Sequence, residues 1–144
     1  MGLMAQIVYG SLLLGICAVI HVGMIAASIP LFPKVATFMQ RHLPKLTVGA
    51  LIILAFFWIV LSHSIQVWIW AGVLMHLEIF EDLATAIYFT MVTYTTLGYG
   101  DITLAEGARN FAAFAAMTGI LTFGVSTAFL VALVNRILPL DNIS

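Results

Sequence analysis

The run Thr93-Tyr94-Thr95-Thr96-Leu97-Gly98-Tyr99-Gly100-Asp101 gathers hydroxyls, glycines and a carboxylate in a chain that is 63% hydrophobic and only 8% charged. In regular extended backbone, successive residues face opposite sides and their carbonyls alternate with them. Glycine adopts positive φ at little cost, so Gly98 and Gly100 at alternate positions can relax that alternation. The carbonyls of Thr96, Leu97, Gly98 and Tyr99 could then turn toward one axis, with the Thr96 hydroxyl adding an oxygen at one end. The side chains of Leu97 and Tyr99 would point away and wedge the strand open. Such a stretch suits coordination rather than bond-making: neutral oxygens replace the water around a dehydrated cation. One strand supplies a quarter of a ring, and four related by symmetry would close it.

Other chemically capable residues are few. His21 and His63 stand inside apolar segments, where ionisable groups are functional candidates. The plainer expectation is a neutral histidine satisfied by Ser62, Ser64 or a backbone carbonyl. Cys17 has no second cysteine to pair with and is expected to be an inert thiol. Trp58, Trp68 and Trp70 are expected to pack or to anchor at an interface. Thr118, Thr122 and Thr127 either face a water-filled cavity or bond to their own helix. The net charge of −1 gives no reason to expect nucleic acid. Gln6 stands where a myristoylation motif needs Ser or Thr, and no basic region precedes the first apolar stretch, so a cleaved signal peptide is not expected.

The elements that must carry these residues are set by hydropathy. A water-soluble domain is typically about a quarter charged, far more than this chain. Apolar segments over about 3–29, 46–77 and 109–137 each exceed the roughly 20 residues needed to cross a bilayer as a helix. Within lipid the backbone must satisfy its own hydrogen bonds, so these segments are expected to be helices. Pro30, Pro33 and Pro44 predict that the first helix ends near Ile29 and that a polar connection follows. That connection holds Lys34, Arg41 and Lys45, and basic short loops stay in the cytoplasm. The N-terminus and the 78–109 region would then lie outside, and Arg136 and the C-terminus inside. The outer segment carries Glu78, Glu81, Asp82, Asp101 and Glu106 against Arg109, an acidic face that would raise local cation concentration.

The segment 82–93 has a helical pattern, capped by Glu81 or Asp82, but reaches only about half a membrane thickness. The chain must return to the side it came from, because Arg109 precedes the last helix. A short helix descends and an irregular strand, 95–101, climbs back. Backbone of that kind is tolerated at membrane depth only where protein buries it or water bathes it.

The run Thr95-Thr96-Leu97-Gly98-Tyr99-Gly100-Asp101 resembles the selectivity-filter signature of potassium channels, the family whose carbonyl coordination is a standard example of ion selectivity. The order helix, short helix, filter, helix is similar too, over about residues 46–137. The resemblance implies an all-α membrane protein: three transmembrane helices, a re-entrant pore helix and a filter, assembled as a homotetramer. It divides the chain into residues 1–45, an additional helix with a basic linker, and a pore domain, 46–140. Within that domain lie an outer helix (46–77), a pore helix (82–93), the filter (95–101) and an inner helix (109–137). Implied ligands for K+ are Thr96, Leu97, Gly98, Tyr99 and Gly100, with Thr95, Asp101 and Tyr88 as filter support. Gly119 and Gly124 fall where the family carries inner-helix hinge glycines. Three departures stand out. Leu97 replaces the commoner Val or Ile. Val92 stands where some members bury a glutamate. Tyr88 stands where many carry a tryptophan, so a Tyr88–Asp101 hydrogen bond is expected as its substitute.

The resemblance implies a passive potassium channel in a bacterial inner membrane, in contact with lipid. It implies no enzyme activity and no cofactor beyond bound K+. Two other readings stay open at this point: a subunit of a potassium uptake system and a non-conducting regulatory membrane subunit. No helix carries the spaced arginines of a voltage sensor.

Overall fold

In the computed structural model, residues 2–137 are described, and they form four helices. These are α1 (Leu3–His42), α2 (Thr47–His76), α3 (Leu83–Tyr94) and α4 (Arg109–Ile137), with a short 3-10 turn, Pro44–Leu46, between α1 and α2. No strand occurs among the described residues. Three of the helices are long and apolar enough to cross a membrane, and α3 is not. The protein is therefore a multi-pass membrane protein, and large apolar side chains such as Leu12, Ile16, Phe56, Phe57 and Leu121 cover its outer faces.

The first helix departs from expectation. It does not stop before Pro30 but runs through Pro30 and Pro33 to His42. Each proline removes one backbone donor, a loss membrane helices tolerate when neighbouring contacts hold the segment. Here the buried stripe of α1 (Leu13, Cys17, His21, Ser28, Phe32) continues past the first proline. The ring of Phe32 lies 6.3 Å from that of Phe129 on α4. Tertiary packing thus overrides the local break. The helix stops one residue short of Pro44, where the chain cannot stay helical. Leu43 there adopts φ −142° and ψ 61°. A helix of 40 residues spans about 60 Å, roughly twice the hydrocarbon thickness.

The end of α2 is a Schellman motif. Glu78 N–H bonds the Met75 carbonyl at 2.9 Å and Ile79 N–H bonds the Leu74 carbonyl at 3.0 Å. The left-handed residue such an end requires is Glu78, with φ 56°, where glycine is usual. The start of α3 is capped by Asp82, whose Oδ1 accepts from Thr85 N–H at 2.8 Å. Of the two acids expected there, only Asp82 takes the cap.

All four helices meet in the half of the molecule that holds the N-terminal end of α1. The core there is built from Leu13 and Cys17 of α1, Trp70 and Leu74 of α2, Phe89 and Tyr94 of α3, and Phe111 and Ala115 of α4. Asn110 donates to Gln6 Oε1 at 3.1 Å and ties the N-terminal ends of α1 and α4. Toward the other end α1, α2 and α4 diverge around an apolar cleft of about 350 Å³, with Arg136 on its wall.

Candidate functional site

The loop that follows α3 begins where that helix unwinds. Thr95 N–H bonds the Met91 carbonyl at 3.1 Å, and Thr96 N–H bonds the Thr93 carbonyl at 2.9 Å. Gly98 N–H then reaches back to the Val92 carbonyl at 3.1 Å. Positive φ falls on Thr96 (60°), Gly98 (59°) and Gly100 (76°), and on neither Leu97 nor Tyr99. The sign of φ therefore reverses at each residue from 96 to 100. This is the pattern needed to undo the side-to-side alternation of extended backbone.

Two of the three left-handed positions are the glycines singled out from the sequence. A Cβ on Gly98 would meet only the Thr96 carbonyl oxygen, 3.9 Å away, and one on Gly100 would meet nothing within 4 Å. Conformation rather than space demands glycine there. The third position, Thr96, was not legible. A β-branched residue at positive φ is an outlier, costing about 1–2 kcal/mol. No composition signal marks it; only its register with the two glycines does.

The loop is anchored at its far end. Tyr88 Oη donates to Asp101 Oδ2 at 2.6 Å, as expected. The other carboxylate oxygen accepts from Ile102 N–H at 3.1 Å. The hydrogen bond to Asp101 holds the Tyr88 phenol above the usual tyrosine range. Leu104 is buried and pins the returning chain. Between these anchors the loop is open: Leu97 is 56% and Tyr99 66% exposed in the protomer.

The near end rests on a buried tyrosine. Tyr94 is 1% exposed, and α4 approaches it so closely that a methyl on Gly119 would strike the Tyr94 carbonyl. Gly119 thus sits in the α3–α4 contact, whereas a Cβ on Gly124 would meet nothing within 4 Å. Helix α4 is continuous through both. Thr118 and Thr122 turn into the protomer core, bonding the carbonyls of Phe114 at 2.7 Å and Thr118 at 2.8 Å. Thr127, bonded to the Phe123 carbonyl at 2.9 Å, remains exposed. Of the three threonines weighed for a wet cavity, only Thr127 lies on an open face.

The two histidines come together, with ring centroids 5.1 Å apart. His21 Nδ1 is 2.8 Å from Ser62 Oγ, the partner expected. Ser64 instead bonds the Val60 carbonyl at 2.8 Å. His63 Nδ1 lies 2.9 Å from Tyr94 Oη and its Nε2 lies 3.1 Å from Ser126 Oγ. Sequence reasoning missed Gln66, Tyr94 and Ser126 as members of this cluster. Gln66, a polar side chain in the middle of an apolar helix, was the available signal. The tryptophans divide: Trp58 Nε1 donates to the Met24 carbonyl at 2.8 Å, Trp70 is fully buried, and Trp68 is exposed.

A family model described as an ion channel matches residues 47–136, well over half of the chain. No curated protein and no solved structure matches it. The match opens at the first residue of α2 and leaves α1 outside.

Proposed function

Since this chain belongs to the ion channel family, we propose that it conducts K+ passively as a homotetramer, with residues 96–100 as the selectivity filter. The observation that carries the proposal is the reversal of φ at Thr96, Gly98 and Gly100 in a loop that follows a helix too short to span. Four such ribbons around one axis would present the carbonyl oxygens of residues 96–99 in stacked rings. A cation entering them exchanges hydration water for carbonyl dipoles, and neighbouring ions repel one another onward. Fourfold closure is required because one loop cannot surround an ion. The C-terminal ends of four copies of α3 would add their negative dipole ends below the rings, where a cation waits.

Exposure of Leu97 and Tyr99 in the lone protomer supports assembly, since both are large and apolar-bodied and would pack behind the filter of a closed ring. Thr127 on the open face of α4 suits a water-filled vestibule. Gly119 or Gly124 would serve as the bend if the inner helix opens. The basic end of α1 and Arg136 of α4 lie at one end of the molecule, since Pro33, Ala36 and Arg136 line the same cleft. Positive charge gathered at one end supports an inside location for it, with the N-terminus outside.

Planar-bilayer recording with K+ on one side and Na+ on the other tests the proposal. A reversal potential displaced strongly toward the K+ equilibrium value is expected. A value near zero refutes potassium selectivity, and flux that depends on an energy source refutes passive conduction.

A further inference from the structure

Five side chains from all four helices form a closed ring of hydrogen bonds directly behind the end of α3. One placement of the hydrogens satisfies it throughout. Gln66 Nε2 donates to the Ser62 carbonyl at 3.2 Å, which fixes which end of the amide faces which way. The same nitrogen lies 3.2 Å from His21 Nδ1, which also has Ser62 Oγ at 2.8 Å; with both of these as donors, the hydrogen of His21 is on Nε2. That nitrogen donates to Ser126 Oγ at 3.1 Å, and Ser126 in turn donates to His63 Nε2 at 3.1 Å. His63 Nδ1 then donates to Tyr94 Oη at 2.9 Å. The Tyr94 hydroxyl closes the ring on Gln66 Oε1 at 3.1 Å. Thr122 Oγ1 gives its own hydrogen to the Thr118 carbonyl and stands beside Tyr94 Oη at 2.9 Å as a second acceptor.

The ring is buried. Gln66 is 0%, His21 and Tyr94 are 1%, and Ser126 is 4% exposed. A buried polar network in which each member is satisfied fixes a single arrangement, while the loss of one member strands the others. The chain continues from Tyr94 straight into Thr95 and Thr96. Whatever fixes the Tyr94 ring therefore fixes the root of the loop. Of the five members, only His21 comes from α1, the helix outside the family match.

We propose that His21 is a positioning residue for the ion-conducting loop, acting through Gln66 and Tyr94, and that α1 is thereby part of the selectivity apparatus. The proposal rests on the assignment of residues 96–100 as the filter. Without the His21 acceptor the Gln66 amide keeps only the Ser62 carbonyl on its nitrogen side, its hold on the Tyr94 hydroxyl loosens, and the backbone at 95–96 gains room to move.

The test uses the full chain in planar bilayers, reading the K+/Na+ permeability ratio from reversal potentials. His21→Leu, Gln66→Leu and Tyr94→Phe are each expected to lower the ratio about tenfold, the change that about 1.4 kcal/mol produces. The double variant His21→Leu/Tyr94→Phe should fall no further than either single one, because both open the same ring. His21→Gln, which keeps an acceptor and a donor on one planar group, should restore most of the ratio. Should His21→Leu fail to assemble, Tyr94→Phe, which removes a single oxygen, carries the test. A selective wild type whose variants keep its ratio overturns the proposal and leaves the filter assignment standing, even if their melting temperatures fall. A wild type that does not distinguish the two cations overturns both.

Discussion

The Tyr88 phenol spans from the middle of α3 to the far end of the loop that follows, donating to Asp101 Oδ2 at 2.6 Å. A single side-chain bond thus ties the far end of an exposed segment back to α3. Tyr88→Phe should leave assembly intact and shorten the persistence of the current several-fold, measured as decay of open probability during sustained recording. Tyr88→Trp keeps a donor and should decay more slowly than Tyr88→Phe. The bond raises the folded-state phenol above its ordinary value. Its contribution is therefore complete below about pH 10 and is lost as pH rises through the raised value.

Gly98 and Gly100 hold φ of 59° and 76°, where an L side chain costs about 1–2 kcal/mol in each protomer. Gly100→Ser should abolish K+ preference, with the reversal potential under K+/Na+ conditions moving to near zero. Gly98→Ala should do the same. Unchanged potentials in both would mean that the loop does not line the ion path.

Gly119 and Gly124 separate packing from bending. Gly119→Ala drives a methyl into the Tyr94 carbonyl, and overpacking of this kind costs about 1–3 kcal/mol. Gly124→Ala meets nothing within 4 Å and should stay within about 0.5 kcal/mol of wild type. Thermal unfolding in one detergent compares them. Gly124→Ala with normal stability and a shifted open probability would assign the bend to residue 124.

Glu78 occupies the left-handed position that ends α2, with φ 56°. Glu78→Gly should raise stability by about 1 kcal/mol, read as a higher melting temperature with unaltered currents.

Asp82 caps α3 through Thr85 N–H, and its carboxyl is lowered first by the Thr85 side chain and then by that backbone bond. The stabilisation is present above the ordinary carboxylate range near pH 3.9 and disappears as pH falls through the lowered value. Asp82→Asn should preserve the cap at neutral pH and remove this acid dependence. Asp82→Ala should be less stable at both pH values.

Much of this was legible because membrane solvent leaves little choice. An uncharged stretch such as 46–77 has to be helical, and a stretch as short as 82–93 cannot cross, so the spans and the short helix follow from length alone. Residue type offered Glu81 or Asp82 as the cap of the short helix, and the Tyr88–Asp101 bond was implied by the family resemblance rather than by spacing. The extension of α1 follows from neither. Pro30 and Pro33 are local breakers, and the contact that overrules them, Phe32 with Phe129, joins positions far apart in the chain. The same distance hid the ring behind α3: His21 and Ser126 are separated by 105 positions, and neither carries a spacing rule pointing to the other. Thr96 escaped for the opposite reason, because its residue type argues against the backbone it adopts.

Helix α1 lies along one flank of α4 from the Gln6–Asn110 link to the Phe32–Phe129 contact. That flank is consequently shut to any neighbouring copy. In the ring proposed above, the remaining surface of α4, with Met117, Ile120, Leu121 and Val131, would serve both as lumen wall and as seam between copies. In that ring a chain without such a helix would offer both flanks of its last helix and would meet this one at a different angle.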